Sequence, residues 1–218
     1  MTQKTANLLS LVLIAAGAVA GALAYPHMAD TVPTHWNAAG EVDGYSSKLT
    51  GVLIGPVGAL GMCLLMWIIP RISPKGFRTH EFAGVIHIFQ VALVLFMLAV
   101  GGLIVLSGLG QPVSTERVIP LAVGLLLIVI GNYAGKLRKN FFVGIRTPWT
   151  LASDEVWART HRMAGYCFVA AGAGLMIVGV GGLGMVPMVA LSVAAGLLPV
   201  AYSFVLYQRL EGFDHADE

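Results

Sequence analysis

Hydrophobic residues in this chain occur in six long blocks, and the charged residues lie in the segments between and beside them. A helix needs about 20 mainly apolar residues to cross about 30 Å of hydrocarbon. No Asp, Glu, Lys or Arg lies inside any of the six blocks. The pattern therefore predicts six spans, at residues 8–25, 51–70, 82–106, 118–134, 163–183 and 185–207, of which the fourth is the shortest.

Composition agrees with a membrane protein. Of the 218 residues, 57 % are hydrophobic and 11 % are charged, whereas soluble domains have about one quarter charged residues. The predicted fold class is all-α: a polytopic bundle of six transmembrane helices, with an ordered external loop and an interfacial cytoplasmic loop and helix. Cys63 and Cys167 both lie in apolar blocks, so no disulfide framework is expected.

Small residues and prolines predict how the spans pack and turn. Gly51 and Gly55 have the spacing that lets helix backbones approach closely. Pro120 is expected in the first turn of the fourth span, where a missing N–H does no harm. The sequence Gly182-Leu183-Gly184 leaves room only for a tight reversal between the last two spans.

The distribution of Lys and Arg predicts the orientation, because positive residues near span ends are retained in the cytoplasm. With the N-terminus inside, eleven of the thirteen Lys and Arg residues are cytoplasmic, and only Lys48 and Arg117 lie outside. Both termini are therefore predicted to be cytoplasmic. The apolar start also resembles a cleavable secretory signal ending near Ala24, but we interpret it as a span.

The external loop, residues 26–49, is too long for a simple connection. Residues 37–40 have the composition of a turn, and Asp43-Gly44 is a dipeptide that favours a two-residue hairpin. We therefore expect local turns to order this loop and to fold it back on the membrane surface. We predict no metal site in this loop. The candidate ligands are spaced unlike any zinc or calcium motif; they are His27, His35, Glu41 and Asp43.

The cytoplasmic segment at residues 132–165 has the densest pattern of specific residues in the chain. The proline of Thr147-Pro148 favours an extended residue before it. Ser153 is a suitable N-cap, and Asp154 and Glu155 place negative charge in the first turn of the next helix. One face of that helix is then formed, at spacings of three and four, by Trp157, Thr160, His161 and Ala164.

Basic residues in the same segment indicate contact with the membrane interface. Lys136, Arg138 and Lys139 follow the fourth span, where cations attract anionic headgroups. We expect Arg146 to lie near Trp149 and the two carboxylates at the helix start. There its planar guanidinium would fix the loop or bind an anionic headgroup.

These two loops carry a resemblance to a known family. Residues 132–165 closely resemble the signature of the SdpI family, bacterial membrane proteins named for immunity to a secreted killing peptide. The sequence PTHWNAAGEVDGYSSK, residues 33–48, resembles the DUF1648-type region that precedes this signature in the family. The resemblance implies two regions, residues 1–70 of the DUF1648 type and residues 71–218 of the SdpI type, in a bacterial plasma membrane.

The same resemblance implies a non-enzymatic immunity or resistance protein. It would protect the cell against a membrane-active toxin peptide and signal by recruiting a transcriptional repressor on the cytoplasmic side. The implied partners are thus the lipid bilayer, a secreted toxin peptide and a repressor, with no cofactor and no direct contact with nucleic acid. The identity of the toxin and the oligomeric state stay open. The candidate residues for binding a partner or ligand are Pro33, His35, Trp36, Asn37, Gly40, Asp43, Gly44, Asn132, Arg146, Thr147, Pro148, Trp149, Trp157, Thr160 and His161.

A transporter of small molecules or lipids is the alternative. Spans 1 to 3 and 4 to 6 have opposite topology, and each set opens with a span followed by a long loop containing Trp, as in an inverted repeat. Polar residues inside the spans are few, which disfavours ion-coupled transport. For His80, His87 and Gln90, which lie near one stripe of span 3, interhelical hydrogen bonding is favoured over a proton relay. A metalloprotease is disfavoured because position 84 is Gly84 and not the second His of the motif.

Overall fold

The computed structural model describes residues 1–37, 39–74 and 79–212 of the protein. In this part of the chain, six helices are long and apolar enough to cross a membrane. The polytopic helical fold predicted from the hydrophobic blocks is therefore confirmed. The elements in chain order are α1 (Gln3–Ala24), β1 (Thr31–Trp36), β2 (Val42–Ser47), α2 (Lys48–Ile72), α3 (Ala83–Gly108), α4 (Thr115–Ala134), α5 (Pro148–Ala152), α6 (Asp154–Gly181) and α7 (Met185–Leu210).

Each predicted span coincides with one of the long helices, and the differences lie at the ends. Helix α6 begins at Asp154 and continues into the span predicted from residue 163, as expected for a helix that Ser153 caps. The Ser153 hydroxyl caps it by accepting a hydrogen bond from the Val156 N–H at 3.4 Å, as the sequence predicts. Helix α4 begins at Thr115, so the prediction that Pro120 lies in its first turn is wrong. The polar residues before Pro120 form that turn instead.

The long helices pack as two groups. In the first, α2 and α3 lie along each other and α1 contacts both; in the second, α6 lies between α4 and α7. Helices α3 and α4 connect the two groups. One end of the bundle carries the β1–β2 hairpin, and we call it the hairpin end. The opposite end, which carries residues 135–153 between α4 and α6, is called the loop end.

Glycines allow the closest contacts between helices. Gly55 of α2 faces Gly101 of α3, and a Cβ at Gly101 would lie 2.6 Å from the Gly55 Cα. Gly131 of α4 and Gly165 of α6 form a similar pair, since a Cβ on either would lie 2.8 to 2.9 Å from the other's carbonyl oxygen. Close backbone packing through Gly55 is thus confirmed.

Polar side chains inside the first group bond between helices. The Gln90 side-chain amide of α3 donates to the Asn7 side-chain oxygen at 3.1 Å and to the Ser10 hydroxyl at 3.2 Å, both on α1. Interhelical hydrogen bonding is therefore confirmed for Gln90. His87 lies at the helix surface, where its Nδ1 is 3.1 Å from the carbonyl oxygen of Met1.

The link between α6 and α7 is a tight reversal, as predicted. Gly182 has φ 61° and Gly184 has φ 85°, a left-handed conformation that favours glycine. The N–H of Leu183 bonds back to the carbonyl of Val178 at 3.1 Å, which closes the end of α6.

Candidate functional site

The candidate residues at the hairpin end lie on a β-hairpin. Strands β1 and β2 pair antiparallel, and the turn between them is organised by Asn37. The Asn37 side-chain oxygen accepts hydrogen bonds from the N–H groups of Ala39 at 2.8 Å and Glu41 at 3.0 Å. Gly40 supplies the left-handed residue of the turn, with φ 81°. The turn predicted at residues 37–40 is confirmed by the bonds of Asn37, Ala39 and Gly40, while residue 38 lies outside the described residues.

The second predicted turn is wrong, because Asp43-Gly44 lies inside β2. Gly44 pairs with His35 where the strand register is irregular. A Cβ at Gly44 would lie 2.8 Å from the Cβ of His35. The glycine here allows the two strands to approach and does not reverse the chain, since the Asn37 turn has already done so.

Val32 anchors the hairpin to the bundle. Its side chain is fully buried and packs against Ile104 of α3. Gly51 and Gly108 leave the space for it, because a Cβ at these positions would lie 2.5 Å and 2.7 Å from the Val32 methyl groups. Trp36 packs, partly buried, at the edge of the same cluster. The hairpin is therefore packed on the ends of α2 and α3.

The opposite side of the hairpin is exposed and polar. His35 Nδ1 lies 2.5 Å from a carboxylate oxygen of Asp43, with the two side chains 71 % and 43 % exposed. Pro33 pairs with Tyr45, whose ring is exposed. No cluster of three or more His, Cys, Asp or Glu side chains suited to a metal occurs in the described part of the chain. We use the name hairpin face for four of the exposed side chains, His35, Glu41, Asp43 and Tyr45.

At the loop end, Asn140 organises the chain that follows α4. Its side chain is fully buried. Its amide donates to the carbonyls of Arg138 at 2.8 Å and Val143 at 3.0 Å. Its oxygen accepts from the N–H groups of Phe142 at 2.8 Å and Val143 at 2.7 Å. These four bonds use the full capacity of the amide. The sequence reasoning missed Asn140, although an asparagine in a turn-forming run is a signal for such a role.

A reciprocal cap begins α5. The Thr147 hydroxyl accepts a hydrogen bond from the Thr150 N–H at 3.2 Å, and the Thr150 hydroxyl accepts one from the Thr147 N–H at 2.8 Å. The backbone of Thr147 is extended, with ψ 161°, as predicted for the residue before Pro148. The proline occupies the first helical position, which its fixed φ favours.

His161 fastens this loop to α6. Its Nε2 accepts a hydrogen bond from the N–H of Ile145 at 3.0 Å, and its Nδ1 lies 2.8 Å from the carbonyl oxygen of Trp157. Because Nε2 accepts, the ring is neutral and its proton sits on Nδ1, from which it is donated to that carbonyl. Gly144 has φ 113°, and a Cβ there would overlap the imidazole. The contact therefore requires glycine beside the histidine.

Two tryptophans tie the loop end to its surroundings. Trp157 stacks on His161 with ring centroids 4.0 Å apart, and its indole N–H donates to the Leu137 carbonyl at 2.8 Å. The Trp149 indole N–H donates to the hydroxyl of Ser203 on α7 at 2.6 Å. Ser203 is buried, and nothing in its local sequence marks it as the partner of a loop tryptophan.

The predicted face of α6 exists and is buried. Trp157, Thr160 and His161 are each at most 2 % exposed, and the side chains of Trp157 and His161 hydrogen-bond to backbone groups of Leu137 and Ile145. The Thr160 hydroxyl oxygen has no hydrogen-bond partner within the described ranges. Trp157 and His161 therefore hold the loop in place, and none of the three side chains reaches solvent.

Three candidate residues at the loop end are exposed, namely Asn132, Arg146 and Pro148. The Arg146 guanidinium donates to the carbonyl of Phe141, so it fixes its own loop. Arg146 forms no ion pair with the carboxylates at the start of α6, although the sequence predicted that it lies beside them. Those carboxylates pair with other cations, Lys139 with Asp154 at 2.6 Å and Arg159 with Glu155 at 2.5 Å. Asn132 stands apart on α4, where its amide donates to the carbonyl one turn earlier.

Comparisons with known proteins match both ends of the molecule. Residues 136–203 match the SdpI/YfhL protein family, and residues 12–60 match DUF1648, a domain of unknown function. The Immunity protein SdpI of Bacillus subtilis (strain 168) is 24 % identical over 208 residues, which cover 94 % of this chain and 98 % of that protein. Among solved structures, none matches the chain. The first match includes the loop end and the second includes the hairpin, so the chain is a multi-pass membrane protein that is similar to the SdpI/YfhL family at the loop end and to DUF1648 at the hairpin.

Proposed function

We propose that this protein is a non-enzymatic membrane immunity protein that protects the cell against a membrane-active toxin peptide. The observation that carries the proposal is the similarity, over 94 % of the chain, to a protein named for immunity. Because the similarity runs through both the hairpin and the loop end, it extends beyond the general resemblance of apolar helices to one another.

The hairpin face is the surface that we assign to the toxin peptide. Its side chains are exposed, while Val32 on the other side of the same strands is fully buried. A rigid support keeps exposed side chains in fixed positions, which lowers the entropic cost of binding. We place this face outside the cell, because the opposite orientation would put eleven of the thirteen Lys and Arg residues outside.

The loop end would then face the cytoplasm, where we assign to it the recruitment of a repressor. The signature residues Trp157, Thr160 and His161 are buried, so a soluble partner would meet the surface that they support. Arg162 is exposed on that surface. Guanidinium groups suit the recognition of carboxylates on a partner protein.

A transporter built on an inverted repeat is the second candidate. Its supporting observation is that each helix group has a structured segment between its first and second long helices. The packing of the groups differs, however, because α1 contacts both α2 and α3, whereas α4 contacts α6 extensively and α7 only slightly. We therefore favour the immunity function over transport.

A protection assay tests the proposal. A sensitive bacterium expressing the protein is challenged with a panel of membrane-active killing peptides, and survival is compared with that of an empty vector. We expect protection against at least one peptide, its loss in the His35→Ala/Asp43→Ala/Tyr45→Ala variant, and its retention in Gln111→Ala, an exposed change at the same end. Failure of the wild-type protein to protect against any peptide would favour the transporter.

The orientation has a separate test. In a protein whose native cysteines are replaced, single cysteines are introduced at Lys48 and Arg138 and labelled in intact cells with a reagent that does not cross the membrane. We expect labelling at position 48 and none at position 138. The reverse pattern would place the hairpin inside and exclude it as the toxin-binding surface.

A further inference from the structure

An apolar cavity of about 490 Å³ lies between the two helix groups at the loop end. Helices α2 and α3 form one wall, while α4, α6 and the loop before α5 form the other. Leu93, Ile130 and Phe168 lie deep in it, and Ile72 and Arg146 lie where the helices end. A space of this size, lined mainly by hydrophobic side chains with few polar groups, has the properties of a ligand site.

The cavity is deep enough to hold a large part of an acyl chain. Along α2 its lining runs from Ile72 back to Leu65, which at 1.5 Å per residue is about 10 Å. One leaflet of hydrocarbon is about 15 Å thick. Six spans place this cavity within the bilayer, so an amphiphile could enter with its chain inside and its headgroup level with Arg146.

The polar groups of the cavity are unequal in their capacity to bind a ligand. Both ring nitrogens of His161 are already used, by Ile145 and Trp157. Arg146 donates to one carbonyl, that of Phe141, and its guanidinium has five N–H donors. Among the described residues that line the cavity, Arg146 is therefore the side chain with hydrogen-bond donors to spare.

The charge around the mouth favours an anion. No carboxylate within the described ranges lies within 4.0 Å of Arg146. The acidic residues at this end pair with other cations: Glu81 with Arg138, Asp154 with Lys139 and Glu155 with Arg159. Other cations at this end, Arg71 and Lys136, cover aromatic rings and also lack a paired carboxylate in the described ranges. An arginine fork matches the oxygens of a phosphate group in a bidentate arrangement.

We infer that this cavity binds an acyl chain of an anionic phospholipid from the surrounding bilayer, with the lipid phosphate held by Arg146. The bound chain fills the space between the α1–α3 group and the α4–α7 group, so the lipid stabilises the contact between them. This inference concerns a ligand other than the toxin and does not rest on the proposed function.

Thermal unfolding of the purified protein in neutral detergent tests the inference. The additions are phosphatidylglycerol, phosphatidylcholine with the same acyl chains, and inorganic phosphate. We expect phosphatidylglycerol to raise Tm by about 5 °C, as a site-specific ligand in excess does, and phosphatidylcholine to raise it less. Phosphate, which lacks a chain, should leave Tm unchanged. Equal shifts with both lipids, or a full shift with phosphate, would overturn the inference.

Two variants separate the headgroup from the chain. Arg146→Gln should abolish the preference for phosphatidylglycerol, while Arg162→Gln, an exposed charge at the same end that does not line the cavity, should keep it.

Ile130→Trp should fill the cavity and prevent crosslinking by phosphatidylglycerol carrying a photoreactive group in its chain. Leu93→Phe is a smaller filling change that should reduce it. In the wild-type protein the crosslinks should map to α3 and α6 at the cavity wall; crosslinks confined to lipid-facing surfaces, or an unchanged preference in Arg146→Gln, would refute the site.

Discussion

The hairpin and the loop end occupy corresponding positions, each between the first and second long helices of its group, yet they are held in opposite ways. The hairpin is fixed by main-chain pairing and by apolar packing centred on the buried side chain of Val32. The loop end is fixed by polar side chains, among them Asn140 and His161, that bond to backbone groups. The polar side chains of the loop end therefore stabilise its own structure, whereas the side chains of the hairpin face are exposed to solvent.

This difference separates residues that contact a partner from residues that support them. A buried polar side chain with all its hydrogen bonds made is costly to replace, and a change there alters function through the fold. An exposed side chain contributes little to stability, and a change there acts on binding. Among the candidate residues, His35 belongs to the second class and His161 to the first.

The largest expected effect contrasts these two histidines. His161→Ala should lower the free energy of unfolding by about 3–5 kcal/mol, because it opens a cavity, removes the ring stacked on Trp157 and leaves the Ile145 N–H unpaired. His35→Ala should change it by less than about 0.5 kcal/mol. Denaturant or thermal unfolding in detergent measures both. Similar losses in the two variants would abolish the distinction.

Asn140→Ala should cost about 2–4 kcal/mol, since four backbone groups lose their partner together. The matched control is Asn132→Ala, which removes an exposed amide bonded only to its own helix and should cost less than about 0.5 kcal/mol. Protease cleavage between residues 137 and 146 should become faster in the first variant alone. An equally resistant loop in both variants would contradict the role given to Asn140.

Val32→Ala should cost about 2 kcal/mol, the value of a buried valine side chain, and should act on the hairpin. Backbone hydrogen exchange in β1 and β2 should accelerate while that of residues 137–145 stays unchanged. Thr31→Ala, at an exposed neighbouring position, provides the control. Faster exchange at both ends of the bundle would show that the two segments are coupled.

Thr160→Val should be neutral or stabilising by up to about 1 kcal/mol. The Thr160 hydroxyl is buried without a partner in the described ranges, so an apolar group of the same shape removes a desolvation cost without losing a bond. Thermal unfolding and the protection assay measure the effect on stability and on function. A clear loss of stability would reveal a hydrogen bond to this hydroxyl.

The smallest effect concerns pH at the hairpin end. The hydrogen bond from the Lys48 ammonium, 2.9 Å away, and then its charge hold the pKa of the exposed Asp30 carboxyl below its ordinary value of 3.8. The contribution of this pair to stability is therefore present above the ordinary pKa and is lost as the pH falls through the lowered one. Carbon NMR of labelled aspartates should show the low pKa in the wild-type protein and an ordinary one in Lys48→Gln. An unchanged titration in that variant would refute the pairing.

The sequence by itself determined the six spans, the Asn37 turn, the Ser153 cap and the reversal at Gly182. These features depend on residues near one another in the chain. An apolar block needs only its length to cross a bilayer, and a cap or a turn needs only its own side chain and the next few N–H groups.

Only the tertiary structure decided which polar residues are buried. His161 meets Ile145, 16 residues away, and Trp149 meets Ser203, 54 residues away. The tertiary structure also decided that Gly44 lies against His35 across the strands. It likewise decided that four helices and a loop line a cavity beside Arg146. Burial is the sum of contacts from distant parts of the chain, so local residue types indicate which side chains can form hydrogen bonds but not which will be removed from solvent to do so.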